Sequence, residues 1–530
     1  MEEPWRHPKE NDLDISNARY SGILFHLTSI QTPYGIGDLG RGAYSFVDKL
    51  ERTGATLWQI LPLGPTGYGN SPYASRSTFA GNELLIDLEE LVCKGWLDKS
   101  EIAFPPDFPK GHVDFDKVRS YKLPLLKKAA RTFLMTNKKS KEWRAYKAFK
   151  EANASWLDGY AVFMTLYDEK YQDARWMRWS EKYCPETLKK WDSAGEIYRA
   201  LQFFFLQQWL DLRRYANSKG IRIIGDIPIF VGADSADTWS NIKLFKTNAK
   251  GEYSAISGVP PDNFSSTGQR WGNPVYDWRV HEETGFSWWI ERIRKQLEFV
   301  DIIRIDHFRG FDAYWEVKAS CPTAEDGKWV KAPGKAFFKA LEKELGRLPI
   351  IAEDLGFMTE SVNRLRKDNH LPGMKIFQFG FSRLSDGSFN PYDTFLPHNW
   401  EEDFVAYPGT HDNQTLRGWF DSQDEGMKDI VRQYLGSNDE EIVWAFLTHL
   451  MQSHAQYAII PLQDILELGD EARMNTPSTC NDINWSWSVD IDDFNDWRIA
   501  RLRHLVEISG RNGLTVEERL KRIGDRKKKE

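Results

Sequence analysis

Eight short apolar runs recur along the chain, at Gly22–Phe25, Ala55–Leu61, Arg222–Gly225, Asp301–Ile305, Ile350–Ala352, Lys375–Gln378, Phe404–Tyr407 and Tyr457–Ile460. Most are separated by segments whose apolar residues fall at helical spacing. Glu196–Ala216 shows it around Phe203, Leu206 and Leu210, and Trp288–Phe299 and Lys335–Leu345 show it again. Met358–Asp368 reads as a shorter helix with Thr359 as its N-cap. Strands that alternate with helices predict a parallel sheet, and eight of them predict an α/β fold of the (β/α)8 TIM-barrel type.

Two stretches do not fit a plain barrel. The second and third runs lie too far apart for a simple connection, so residues 66–200 are expected to form one or more inserted subdomains at the C-terminal rim. Lys141–Glu151 and Trp156–Lys170 predict that this insertion is mostly helical. A second excursion, 232–280, follows the third run. Within it, Gly258–Pro274 is punctuated by Gly, Pro, Asn and Ser, which predicts irregular backbone. A long loop bearing Phe264 and Trp271 on a barrel rim is expected to act as a lid. Residues 1–530 are thus read as one barrel domain with two large insertions. The chain ends soon after the last barrel helix, so no C-terminal β-domain is expected.

The runs share a second property: several end in acids. In Arg304–Ile305–Asp306 the side chains two residues apart point to one face of a strand. A cation beside a carboxylate lowers its pKa and keeps it ionised, although a plain salt bridge at a strand end accounts for the motif too. The third run leads into Asp226, the fifth into Glu353 and Asp354, and the seventh through Pro408–Gly409–Thr410 into His411–Asp412. Asp354 reads as a helix N-cap or turn residue. Acids at the C-terminal ends of several parallel strands are how such a barrel assembles a site.

Composition narrows the chemistry. The net charge of −7 and the lack of a basic stripe interleaved with aromatics argue against nucleic acid. No run approaches the roughly 18 apolar residues of a membrane span. Met1–Trp5 lacks both an apolar signal core and an Arg/Ser-rich amphipathic character, so a cytoplasmic protein is expected, or a plastid-stromal one whose transit peptide has been removed. Cys93, Cys184, Cys321 and Cys480 are scattered without metal-ligand spacing and read as reduced thiols. The 22 Trp, 20 Tyr and 31 Phe are mainly core, though aromatic faces also serve as platforms for sugars.

Two carboxylates in different surroundings, with a third nearby, suit retaining glycosyl transfer. Asp306, beside Arg304, is the better nucleophile. Glu353 follows an apolar run, and burial there raises its pKa, which suits a proton donor. Asp412, with His411, could hold sugar hydroxyls and stabilise positive charge at the anomeric carbon. Metal chemistry is the rival, but His307 and His411 lie on different strands and HExxH spacing is absent.

These residues fall within motifs that resemble the 4-α-glucanotransferases, the amylomaltase and disproportionating-enzyme family within the α-amylase superfamily. The motifs are Tyr34–Gly40, Gly67–Tyr73, Asp226–Val231, the Gly258–Pro274 segment, Arg304–His307, Ala352–Gly356, Gly409–Asn413 and Arg473–Pro477. The resemblance implies Asp306 as nucleophile, Glu353 as acid/base and Asp412 as transition-state stabiliser. It implies support from Arg304, His411 and Asp226, sugar contacts from Asn475 and Trp271, and a place for Tyr73 beside the reacting groups. It further implies Tyr68 in a second glucan-binding surface. The expected donors are α-1,4-glucans such as maltooligosaccharides, starch or glycogen, with glucose or a maltooligosaccharide as acceptor and no cofactor or metal.

Two positions depart from the amylase pattern. Val231 stands where that pattern has a histidine, and Phe230 stands where it has a calcium-binding asparagine. The alternatives are an α-glucan hydrolase using the same carboxylates, against which Val231 and the long lid speak, and a catalytically silent glucan-binding protein, against which the intact acids speak.

Overall fold

The computed structural model describes residues 18–136, 138–172, 175–261, 265–356 and 358–527. Twelve strands occur among them. In chain order they are β1 (Tyr20–Leu24), β2 (Leu57–Gln59), β3 (Arg222–Pro228), β4 (Ala255–Val259), β5 (Gln269–Pro274), β6 (Ile302–Asp306), β7 (Ala313–Lys318), β8 (Gly327–Lys331), β9 (Ile350–Ala352), β10 (Gly373–Ile376), β11 (Phe404–Tyr407) and β12 (Tyr457–Pro461).

Eight of them form one parallel sheet in the order β10-β11-β12-β1-β2-β3-β6-β9. Each of these eight overlaps an apolar run, β10 only at Lys375 and Ile376. Their residues are almost wholly buried, because a parallel barrel covers both faces of each strand. Gly22 pairs with Ile459 on one side and Leu57 on the other. The seam between β9 and β10 is bridged where Ala352 N–H donates to the Pro372 carbonyl at 2.9 Å. The sheet closes into a (β/α)8 barrel.

At the N-terminal face Arg511 is fully buried. Its guanidinium donates to the carbonyls of Tyr20, Met451, Ser453, Ala455 and Gln456, which ties the starts of β1 and β12 to the last helices.

Between β2 and β3 lie helices Phe115–Leu134, Lys141–Ala152, Ala154–Thr165 and Pro185–Ser218. They pack through aromatic rings: Phe133 meets Tyr146 edge-on at 5.3 Å and lies near Phe204 at 5.3 Å. A π-helical turn, Leu166–Tyr171, ends the third of them. After β12 the described residues add helices and no further strand.

The excursion after β3 corrects the sequence reading. Gly258–Pro274 is not irregular throughout: β4 and β5 pair antiparallel, with Gly258 opposite Arg270. With β7 and β8 they form a second, four-stranded sheet in the order β5-β4-β7-β8, which the apolar runs did not announce. Its outer strands are half exposed, so the apolar alternation that marks a strand is diluted by Gly, Asn, Arg and Lys. Gly258 is needed there, since a Cβ would stand 2.3 Å from the Gln269 carbonyl oxygen. Asp262, Asn263 and Phe264 lie outside the described residues, and so does the place expected for Phe264. Asp354 is corrected as well. It caps no helix; it accepts from Met374 N–H at 2.7 Å, while Thr359 caps Glu360–Asp368.

Candidate active site

The C-terminal ends of β3, β6, β9 and β11 converge on one buried cluster. Arg304 sits at its centre. Its Nη1 lies 2.5 Å from Asp226 Oδ2 on β3 and 3.1 Å from Asp306 Oδ1 on its own strand. The register explains the first contact, because Asp226 and Arg304 are direct partners across β3 and β6. Period-two alternation explains the second. Tyr73, from the loop after β2, donates its hydroxyl to Asp226 at 2.6 Å. Asp226 and Arg304 are buried beneath the site, whereas about a third of the Asp306 side chain faces the cleft.

Glu353 is held differently. Its two oxygens accept from the backbone amides of His307 at 2.7 Å and Leu355 at 2.8 Å. His307 adopts a left-handed backbone with φ of 54°, uncommon for a residue with a Cβ; it follows the last residue of β6, and its amide serves Glu353. Burial pushes the Glu353 carboxyl up to about 6, with Arg304 and the two amides pulling against it. Burial also pushes Asp306 well above the ordinary aspartate range; Arg304 opposes this, and Asp226, Glu353 and Asp412 add to it. This corrects the expectation drawn from Arg304 alone. One guanidinium does not outweigh desolvation and three neighbouring acids.

Asp412, beyond β11, is fixed by residues from a distant loop. Asn475 Nδ2 donates to its Oδ1 at 2.6 Å, and Arg473 donates to its backbone carbonyl at 2.7 Å. His411 Nε2 is 3.4 Å from Asp412 Oδ2. The His411 ring stacks on Tyr73 at 5.1 Å and leans on Trp485 at 5.8 Å. Burial lowers the His411 pKa, so the imidazole is neutral.

A cleft of about 1210 Å³ opens over this cluster. Asp306, Asp412, His411, Tyr73, Asn475, Trp271 and Tyr68 all line it. Trp271, on β5, stands edge-on to His307 at 4.8 Å. Tyr68 is 83% exposed and lies at the rim of this same cleft. Asp226, Arg304 and Glu353 lie behind the lining.

Sequence reasoning passed over Arg473 and Trp485, which fix Asp412 and His411. Arg473 lies inside a motif already singled out, but its partner is a backbone carbonyl 61 residues away. Phe230 is buried among aromatic rings, 5.9 Å from Tyr276 and 6.1 Å from Tyr314, so that position offers no oxygen ligand from its side chain.

A family model described as 4-alpha-glucanotransferase matches residues 25–492. The chain is 44% identical over 509 residues to the 4-alpha-glucanotransferase of Thermus thermophilus, covering 93% of this chain and 99% of that one. It is 43% identical to the chloroplastic/amyloplastic 4-alpha-glucanotransferase of Solanum tuberosum, covering 94% and 87%. The structure of amylomaltase from Streptococcus agalactiae in complex with acarbose superposes with a TM-score of 0.88 at 38% identity, covering 93% of this chain and 99% of that one. A match that runs from the end of β1 past β12, through every strand end that carries an acid, leaves one conclusion: the chain belongs to the 4-alpha-glucanotransferase family, glycoside hydrolase family 77.

Proposed function

We propose that this 4-alpha-glucanotransferase works by double displacement, with Asp306 as nucleophile and Glu353 as acid and then base. The observation that carries this is the pairing of two carboxyls at adjacent strand ends with unlike supports: the Arg304 guanidinium at Asp306, two backbone amides at Glu353. The form with Asp306 ionised beside Arg304 and Glu353 protonated is the reactive one. Asp306 attacks the anomeric carbon of an α-1,4-glucan while Glu353 protonates the departing 4-oxygen. The 4-hydroxyl of an acceptor then enters, Glu353 takes its proton, and the Asp306–glycosyl bond breaks with net retention.

Asp412, oriented by Asn475 and His411, stabilises positive charge at the anomeric carbon in both steps. Trp271 contacts the acceptor side, and Tyr68 extends glucan contact along the rim. Donors are maltooligosaccharides, starch or glycogen; glucose or a maltooligosaccharide accepts. No cofactor takes part. The enzyme works in the cytoplasm, or in a plastid stroma; the potato relative is named as chloroplastic/amyloplastic. No helix among the described residues is long and apolar enough to cross a membrane.

Pure maltotriose tests the reading. Glucose should appear together with a ladder of longer oligomers. Glucose and maltose without longer products would replace transfer by hydrolysis.

A further inference from the structure

His411 has a second neighbourhood besides the cleft. A cavity of about 20 Å³ adjoins it, lined also by His26, Ser29, Asp464 and Arg473. Among the described residues His411 alone lines both this cavity and the main cleft. The volume suits a single water, which needs roughly 10–15 Å³ and two to four polar partners.

The polar atoms around it are matched in kind. His411 Nδ1 and Ser29 Oγ are both buried with no hydrogen-bond partner among the described residues. His26 Nδ1 accepts from Leu61 N–H at 3.3 Å, so its own proton sits on Nε2 and that nitrogen is a donor. Arg473 Nε and Nη2 donate to the Asn475 and Asp412 carbonyls, and Asp464 Oδ1 accepts from the Leu416 amide. A water that accepts from His26 Nε2–H still has two hydrogens to give, to Ser29 Oγ and His411 Nδ1.

In a neutral imidazole the partner of one nitrogen decides which nitrogen carries the proton. Here the choice matters, because Nε2 faces Asp412 Oδ2 at 3.4 Å. With the proton on Nε2 the pair attracts. With it on Nδ1, a lone pair confronts a carboxylate.

We propose that one water held by His26 and Ser29 donates to His411 Nδ1, fixes the His411 proton on Nε2, and makes His26 and Ser29 positioning residues for Asp412. The catalytic consequence rests on the role assigned above to Asp412; the tautomer does not.

The two amide replacements of His26 separate this from a packing role. His26→Asn retains an acceptor near Nδ1 for the Leu61 amide and loses the donor at Nε2. His26→Gln retains a donor near Nε2 and abandons Leu61. The proposal expects the Asn variant to be the poorer catalyst, with kcat down roughly 10-fold and KM little changed, and the Gln variant to keep more activity at a lower Tm. A packing role predicts the reverse order of activity, which would overturn the proposal.

Nitrogen-15 spectra of the ligand-free, histidine-labelled full chain read the tautomer directly, whatever Asp412 does in catalysis. His411 should carry its proton on Nε2 in the wild type and lose that preference in His26→Asn and in Ser29→Ala. The serine change removes one oxygen and keeps the test alive should the histidine variants not fold. An unchanged His411 tautomer in both variants defeats the idea. So does a high-resolution crystal structure with no ordered water between Ser29 and His411.

Discussion

Two buried arginines sit at opposite ends of the same barrel, and their partners differ. Arg511, at the N-terminal face, spends its charge on backbone carbonyls of five residues. Arg304, at the C-terminal face, spends its charge on two carboxylates, and one of them stays open to the cleft. Carbonyls do not titrate or react, so the Arg511 end can only hold the chain together. Carboxylates do both, so the Arg304 end holds reactive groups whose protonation is tunable. The contrast follows from barrel geometry: strand C-termini face the loops that carry the site, while the opposite rim carries stability.

The contrast is broken most sharply at the reactive end. Asp306→Asn should cut transfer by about 10⁴-fold or more while the fold and glucan binding persist, because shape is kept and the anionic nucleophile is lost. Glu353→Gln should lose nearly as much on natural glucans, yet form the glycosyl–enzyme from α-glucosyl fluoride, whose leaving group needs no proton. Rescue of the Asp306 variant instead of the Glu353 variant would exchange their roles.

At the other end the loss should be of stability. Arg511→Leu leaves buried carbonyls without a donor, so the variant should be destabilised by about 3 kcal/mol. The kcat of its folded fraction should match the wild type. Thermal unfolding beside active-site-titrated turnover checks this, and a large fall in kcat without a fall in Tm would contradict it.

The two ends were not equally legible in the sequence. The barrel was, since parallel strands buried on both faces leave continuous apolar runs, and Ile302–Ile305 or Tyr457–Ile460 can hardly be anything else. The acids were legible because each stands just past such a run. What was hidden depends on register and on backbone. The Asp226–Arg304 contact needs the β3–β6 register, and the His307 and Leu355 amides that hold Glu353 leave no trace in residue type. Arg511 was silent for the same reason: one arginine among several near the C-terminus shows nothing of the five carbonyls waiting for it. The second sheet was missed because β5 and β8 are half exposed and carry too few apolar residues to break the look of a loop.

A smaller effect sharpens the reactive end by pH. Burial raises Glu353 to about 6, and its protonated form is the one that donates. The rate kcat/KM for maltotriose should therefore fall as pH rises through about 6, approaching 10-fold per unit. The sign is fixed by the role, since a general base in the first step would give a rise instead. With α-glucosyl fluoride, Glu353→Gln should lose this limb, and a limb that survives the substitution belongs to another group.

The smallest effect expected concerns neither arginine but the half-exposed sheet above Arg304. Once a glycosyl–Asp306 intermediate forms, water at about 55 M competes with a sugar acceptor at millimolar concentration. Transfer wins only if the sugar is favoured by about four to five orders of magnitude, roughly 6 kcal/mol. The carboxylates cannot supply that preference, because both reactions use them identically. Excluding water and holding the acceptor in line can. Trp271 on β5 stands beside His307 over the cleft, 39% exposed and free to cover an acceptor ring. Many contacts share the 6 kcal/mol, so Trp271→Ala should remove only part of it. The expected result is a rise of about 10-fold in the ratio of hydrolysis to transfer on maltotriose, with a lower total rate. Phe264→Ala should move the ratio the same way. Reducing-end release and oligomer redistribution, followed in one reaction, give both numbers. If a folded Trp271→Ala variant slows while the ratio holds, the sheet is scaffold alone, and the choice of acceptor is made among the strand-end groups around Arg304.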